Sequence, residues 1–395
     1  MKILIHDFAG HPFQVELSRA LAQRGHQVVH AWFVKDQGPK GVMNVIEGDP
    51  PQLSFSPLGK AIDYSKTNFL KRRNGDRAYG CELAALAAQQ KPDVVISGNT
   101  PTEAQEALVR LCYKERRPFI YWCQDFYSIA ASEILARKIP GPGHAIGAWY
   151  RFLERRQMRR ASRILHITES FHAQTDRWGI DRAKIEVIPN WGVLGDIDLQ
   201  NRDNSWAREN SLQNGTRFLY SGTLALKHNP ELLRHLAERV APNEEVVVVA
   251  AGVGADSLRE GPDHAGMRLL PLQPFERMSD VLASGDVLLA VIERGAGTYS
   301  VPSKIMSYLC AGRPIVLAAP AENLAAKILV ESGAGVVVEP EDYDGFTLAA
   351  LSFRNDPLRA EKAGVAARRW AETRFDLEKI ADRFEALFVK AIQSV

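Results

Sequence analysis

The sequence predicts an α/β protein of two doubly wound parallel-sheet domains facing a cleft, and three observations carry that expectation. Short apolar strands alternate with amphipathic helices from residue 2 to residue 190, and the rhythm restarts at residue 217. Between them, residues 192–215 lose apolar periodicity and gain Asp, Asn and Gly, as a linker does. Val246–Ala251 is an unbroken run of Val and Ala, the pattern of a parallel strand covered on both faces. A chain of 395 residues also exceeds what one core usually serves. The expected division is 1–198 and 199–376, with the amphipathic helix at 377–395 free to cross back onto the first domain. Ligands of open parallel sheets sit at the carboxyl ends of the strands, so two facing sheets would share one cleft.

Taken in order, Lys2–His6 reads as a strand, Phe13–Arg24 as a helix with Val15, Leu17, Leu21 and Ala22 on one face, and Gln27–Phe33 as a second strand. Residues 35–76 are polar and rich in Gly and Pro and read as a long loop. Helices follow at Gly80–Gln90, Pro101–Lys114, Ala145–Arg160 and Glu169–Trp178. Strands are expected at Asp93–Ser97, Phe119–Cys123, Arg163–Ile167 and Ile185–Ile188. The second series has strands Phe218–Ser221, Val246–Ala251, Met267–Leu272, Val287–Ile292, Ile315–Ala319 and Gly335–Val338, with helices Asn229–Val240 and Asn323–Ser332 among them.

The stretch VPSKIMSYLCAGRPIV, Val301–Val316, concentrates the chemistry. Pro302 suits the first helical position and Ser300 an N-cap. The amides of Ser303 and Lys304 then point out of the helix end, which carries about half a positive charge, and Lys304 adds a full one. Such an end seats phosphate. An ordinary strand–helix connection with a good cap is the other reading. Gly312 permits a C-cap, and Pro314 stops the helix before the next strand.

Composition narrows the classes. A net charge of +2 offers no global field for nucleic acid. Cys81, Cys112, Cys123 and Cys310 lack metal or redox spacing and read as buried, reduced thiols. The start MKILIHDFAG lacks the apolar run of a signal peptide, and no stretch approaches the ~20 apolar residues that span a bilayer. The expected location is cytoplasmic. The triplets Asp196-Ile-Asp198 and Asp342-Tyr-Asp344 read as solvated acids, and no catalytic metal or other cofactor is expected.

The second half opens with Phe218-Leu-Tyr-Ser-Gly-Thr-Leu-Ala-Leu-Lys-His-Asn-Pro230. A glycine at a strand end lets the backbone approach a ligand closely. Lys227, just before a helix, reads either as a point charge for a pyrophosphate or as a solvated surface lysine. The order YSGT…K, GVG, GDVLLAVI and PSK…SYLCAGRPIV, with ASRILHITES and IEVIPN in the first half, resembles the retaining GT-B glycosyltransferases of family 4. The likeness spans nearly the whole chain and leans toward bacterial enzymes of capsule, O-antigen and exopolysaccharide synthesis.

The resemblance implies two Rossmann-like domains and a set of roles. The catalytic set would be Lys227, Lys304 and His11. Gly222 and Lys227 would face the donor diphosphate, Ser303 and Lys304 its oxygens. The loop Gly252–Gly254, with Val253, and the turn at Leu272 would border the base. Gly10 and His11 would lie near the sugar and the acceptor hydroxyl. The chain departs from the family pattern at several points. Tyr299 and Ser307 occupy the positions of two family glutamates, with Glu293 the nearby carboxylate. Thr223 stands where an arginine is common, and Gln124 where a histidine often precedes Asp125. In that family the departing phosphate takes the acceptor's proton, so no paired carboxylates of the glycosidase kind are needed.

The implied reaction moves a sugar from a UDP- or GDP-sugar to a saccharide or lipid-linked saccharide, with retention. The alternative, which the missing glutamates favour, is a nucleotide-sugar-binding or scaffold protein with little turnover. A nicotinamide-dependent reading lacks its G-x-G-x-x-G after the first strand. The helix Trp149–Arg163 carries six arginines and three aromatic residues against one acid. It reads either as a contact with an anionic inner-membrane leaflet or as a solvated charged face.

Overall fold

The fully buried Ile3, Leu4 and Ile5 sit at the centre of strand β1 (Lys2–Asp7), which pairs in parallel on both sides. The computed structural model describes residues 1–36, 40–65, 68–212, 214–225, 228–262, 264–292 and 303–395. Two units emerge from its packing: residues 1–190 with 377–395, and residues 191–376.

In the first unit, β2 (Gln27–Phe33), β3 (Leu53–Leu58), β4 (Val94–Gly98), β5 (Phe119–Cys123), β6 (Arg163–His166) and β7 (Ile185–Val187) join β1 in a parallel sheet of order β3-β2-β1-β4-β5-β6-β7. The helices are α1 (Pro12–Gln23), α2 (Phe69–Gln90), α3 (Thr102–Lys114), α4 (Tyr127–Lys138), α5 (Pro142–Arg160) and α6 (His172–Arg177). In the second unit the described elements are α7 (Ser205–Glu209), β8 (Arg217–Thr223), α8 (Glu231–Ala237), β9 (Glu245–Ala251), α9 (Val253–Glu260), β10 (Met267–Leu270), α10 (Met278–Ala283), β11 (Val287–Val291), α11 (Ser303–Cys310), β12 (Ile315–Ala318), α12 (Leu324–Ser332), β13 (Gly335–Val338), α13 (Tyr343–Asn355) and α14 (Pro357–Arg374). Its sheet is parallel throughout, in order β10-β9-β8-β11-β12-β13. Both orders reverse beside the first strand of the unit, between β1 and β4 and between β8 and β11.

Several expectations change. Residues 35–76 are not one loop: β3 pairs with β2 at the sheet edge, where Pro57 is tolerated because one side of the strand needs no partner. α2 starts at Phe69 rather than Gly80, capped by Asn68, whose side chain accepts from Lys71 N at 3.1 Å. α4 was not expected. Its start is held by a distant residue, buried Glu154, which accepts from Ser128 N at 3.1 Å and from Tyr121 Oη at 2.9 Å. The stretch 192–215 is packed structure rather than open linker: Trp206 of α7 is buried, and so are Trp191, Val193 and Ile197. The second unit therefore begins at Trp191, not at 199. Cys112, Cys123 and Cys310 are buried, whereas Cys81 is exposed.

The last helix, α15 (Leu377–Ile392), packs in the first unit against α1, β4 and β6. Phe384 is fully buried with its ring 5.1 Å from that of Trp122. At the rim Arg24 reaches Glu378, Asp382 and Glu385 at 2.7–2.8 Å. Those exposed ion pairs add little each; the aromatic burial dominates. Phe384→Ala should destabilise the first unit by about 3–5 kcal/mol, read from urea unfolding. A loss under about 1 kcal/mol would show α15 to be a loose cover.

Candidate active site

The reversal points matter because strands diverge there and leave room at their carboxyl ends. In the first unit, the loop after β1 and the loop after β4 meet at that point. Asp7, the last residue of β1, is fully buried, and its carboxylate accepts from Ala9 N at 3.2 Å and from His11 N. His11 Nδ1 donates to Asp7 Oδ2 at 3.0 Å, and the Asn99 side-chain amide lies 3.0 Å from the same nitrogen. His11 is the N-cap of α1, with 29% of its side chain exposed. Burial alone would lower the imidazole pKa. The Asp7 charge and hydrogen bond, with Asp36 and Asp125 at longer range, outweigh it and raise the pKa above 6.5. Gly10 before it has φ +79°, a left-handed backbone that favours glycine; a Cβ there would also have to push aside the flexible end of Met43, whose Cε lies 2.5 Å away.

Gln124 follows β5 and is buried; Asn190 Nδ2 donates to its Oε1 at 2.6 Å. Gln124 Nε2 and Asn190 Oδ1 have no protein partner, so a donor and an acceptor remain for a ligand hydroxyl. Buried His6, by contrast, is held by structural partners. His6 bonds Ser97 Oγ at 2.8 Å and Tyr79 Oη at 2.7 Å, and burial lowers its pKa to about 3.

In the second unit, β8 ends at Ser221, Gly222 and Thr223 beside the start of α11. Gly222 has φ +131°, and a Cβ placed on it would lie 3.4 Å from Lys304 Cε and 3.5 Å from Nζ. The glycine backbone and the ammonium thus occupy one spot. Lys304 Nζ stands 3.8 Å from the centre of the Tyr220 ring and donates to the Tyr220 hydroxyl. Tyr308 Oη accepts from Ser221 N at 2.9 Å and donates to Ser221 O at 3.1 Å, tying α11 to β8. The observed partner of Lys304 is a neutral phenol, and burial lowers its pKa from 10.5 to about 7. A half-buried cation beside a helix start calls for an anion.

Gly252 is the N-cap of α9 with φ +111°, so residues 252–254 begin a helix rather than the expected loop. A Cβ on Gly252 would meet Leu224 O at 2.8 Å, and Gly254 N donates to that same carbonyl at 2.9 Å. Val253 is 59% exposed at this edge. Leu272 is half-buried two residues past β10, the neighbour of β9. Thr223 is exposed at the end of β8, and Ser307 is half-buried on α11.

Lys227, Glu293, Tyr299, and the Ser300 and Pro302 cap lie outside the described residues. Ser303 is the first residue of α11. The site residues that sequence reasoning missed are Asp7, Asn99, Asn190, Tyr220 and Tyr308. Asp7 and Tyr220 had a signal, each standing at the end of an apolar strand just before a glycine turn.

Comparisons with known proteins agree with this fold. Residues 11–191 match the glycosyl transferase 4-like domain. WcaI of Escherichia coli K12, named as a colanic acid biosynthesis glycosyl transferase, is 26% identical over 76% of this chain and 75% of its own length. The sucrose-phosphate synthase of Thermosynechococcus elongatus superposes with a TM-score of 0.74 at 13% identity, covering both chains fully. Anabaena Alr3699/HepE, solved with UDP and glucose, gives a TM-score of 0.69 at 14% identity over 98% of each chain. The chain is thus a glycosyltransferase of GT-B fold that carries a glycosyl transferase 4-like domain at residues 11–191.

Proposed function

We propose that the protein transfers a sugar, with retention, from a UDP- or GDP-sugar to a saccharide or lipid-linked saccharide in the synthesis of a bacterial surface polysaccharide. The observation that carries this is the Gly222–Lys304 pair where β8 and β11 part. A nucleoside diphosphate leaving group builds negative charge on its β-phosphate. An ammonium and the amides opening α11 favour that state over the ground state. Gly252, Val253 and Leu272 offer apolar and backbone surface for the base. His11, held by Asp7, and Gln124 with Asn190 supply hydrogen bonds for sugar and acceptor hydroxyls. The name of WcaI supports the polysaccharide assignment.

Melting curves with UDP, GDP, ADP and TDP test the reading. One of the four at saturation should raise the melting temperature by about 5 °C or more, because ligand binds the folded state. No rise with any of them would reject it. The second reading, a nucleotide-sugar binder with little turnover, is favoured by Ser307 and Tyr299 at the family's glutamate positions. It predicts the same thermal shift without release of nucleoside diphosphate.

A further inference from the structure

We propose that the outer face of α5, with the first turn of α2, docks onto an anionic lipid bilayer. Ala145, Ala148, Trp149 and Phe152 are all exposed and recur at helical spacing, forming one apolar stripe. The Trp149 and Phe152 rings touch, 5.7 Å apart, yet stay 46% and 51% exposed. Phe69 and Leu70 open α2 with 38% and 68% exposure. The two elements are neighbours through α3. Arg73 of α2 donates to Glu103 at 2.8 Å, and Arg156 of α5 donates to Glu106, one turn further along.

Charge selects the occupant. The one acid of α5, Glu154, is fully buried behind α4. Arg151 is exposed; Arg155 and Arg159 bond the Trp178 carbonyl, at 2.7 and 3.2 Å; Arg160 lies over the Tyr113 ring. These partners are neutral, so they fix the side chains without cancelling the charge. Arg156, over the Phe152 ring, is paired with Glu106, but the other four arginines of α5 are paired with no acid among the described residues. Exposed aromatic rings beside them, with no exposed acid on the helix, fit a headgroup layer carrying negative lipids. A protein surface of mixed charge would want acids here too.

The test is co-sedimentation of the full chain, without nucleotide, with vesicles of phosphatidylcholine alone or mixed with phosphatidylglycerol. The expected result is sedimentation with the mixed vesicles, weakened by salt. The double variant Trp149→Ser/Phe152→Ser should bind about ten-fold more weakly, with its circular dichroism and melting temperature unchanged because both rings are exposed. Equal binding to both vesicles, no binding to either, or a variant that binds as the parent does would overturn the proposal. A concentration-dependent dimer that the double variant abolishes would also overturn it, assigning the face to a second copy.

Discussion

Replacing Lys304 by Met is expected to cut kcat/KM for the nucleotide-sugar substrate by about 10²- to 10³-fold. The unliganded fold should survive. Methionine keeps the volume of the lysine stem and removes an ammonium whose burial is unfavourable, as its depressed pKa of about 7 shows. The same residue predicts a pH effect. A bound diphosphate stabilises the ammonium and raises its pKa, so binding takes up a proton. Nucleoside diphosphate affinity should therefore fall as pH rises through about 7. Calorimetry in buffers of different ionisation enthalpy would register the proton, and Lys304→Met would lose it. For the free protein the sign is opposite. The unfolded chain holds this proton up to 10.5, so folding stability gains as pH rises from about 7 toward 10.5. Full turnover in Lys304→Met would remove the residue from the reaction.

Asp7→Asn is expected to cost about 10- to 10²-fold in turnover through His11. With the carboxylate gone, only the longer-range Asp36 and Asp125 charges oppose burial, and the His11 pKa is expected to fall below its ordinary value instead of standing above it. The imidazolium, which offers Nε2–H to a ligand hydroxyl while Nδ1–H stays on Asp7, then persists only to a lower pH. NMR titration of labelled histidine gives the readout: a His11 midpoint above 6.5 in the parent and below it in the variant. An unmoved midpoint would refute the pairing. Asp7 is itself held below the usual carboxylate range. Burial pushes it up, but the His11 charge and hydrogen bonds pull it further down. That contribution to stability is present near neutral pH and is lost as acid protonates Asp7.

The placement of several candidate residues is legible in the sequence. Gly222, Gly252 and Lys304 stand where a strand end or a helix start needs a close backbone or a cation, and those needs are local. Their partners were hidden because they come from far along the chain: Tyr220 reaches Lys304 across 84 positions, and Asn99 reaches His11 across 88. The fold divides the same way. The alternation of strand and helix is written in residue periodicity, so both parallel sheets could be expected. β3 was concealed by Pro57, which signals a break unless the strand is known to lie at an edge. α4 was concealed because its N-terminal cap is Glu154, on another helix. The anchoring of the α5 arginines was hidden for the same reason: Arg155 and Arg159 bond the Trp178 carbonyl and Arg156 bonds Glu106, all on other segments.

The placement of α15 has a consequence for biosynthesis. Residues 191–376 are contiguous, so that half can mature as soon as it leaves the ribosome. The other half begins earlier but cannot seal the surface around Trp122 until the segment beyond Asp376 emerges. During translation the first-made part is therefore the last to close, and in that interval its exposed aromatic surface is the natural place for a chaperone to bind.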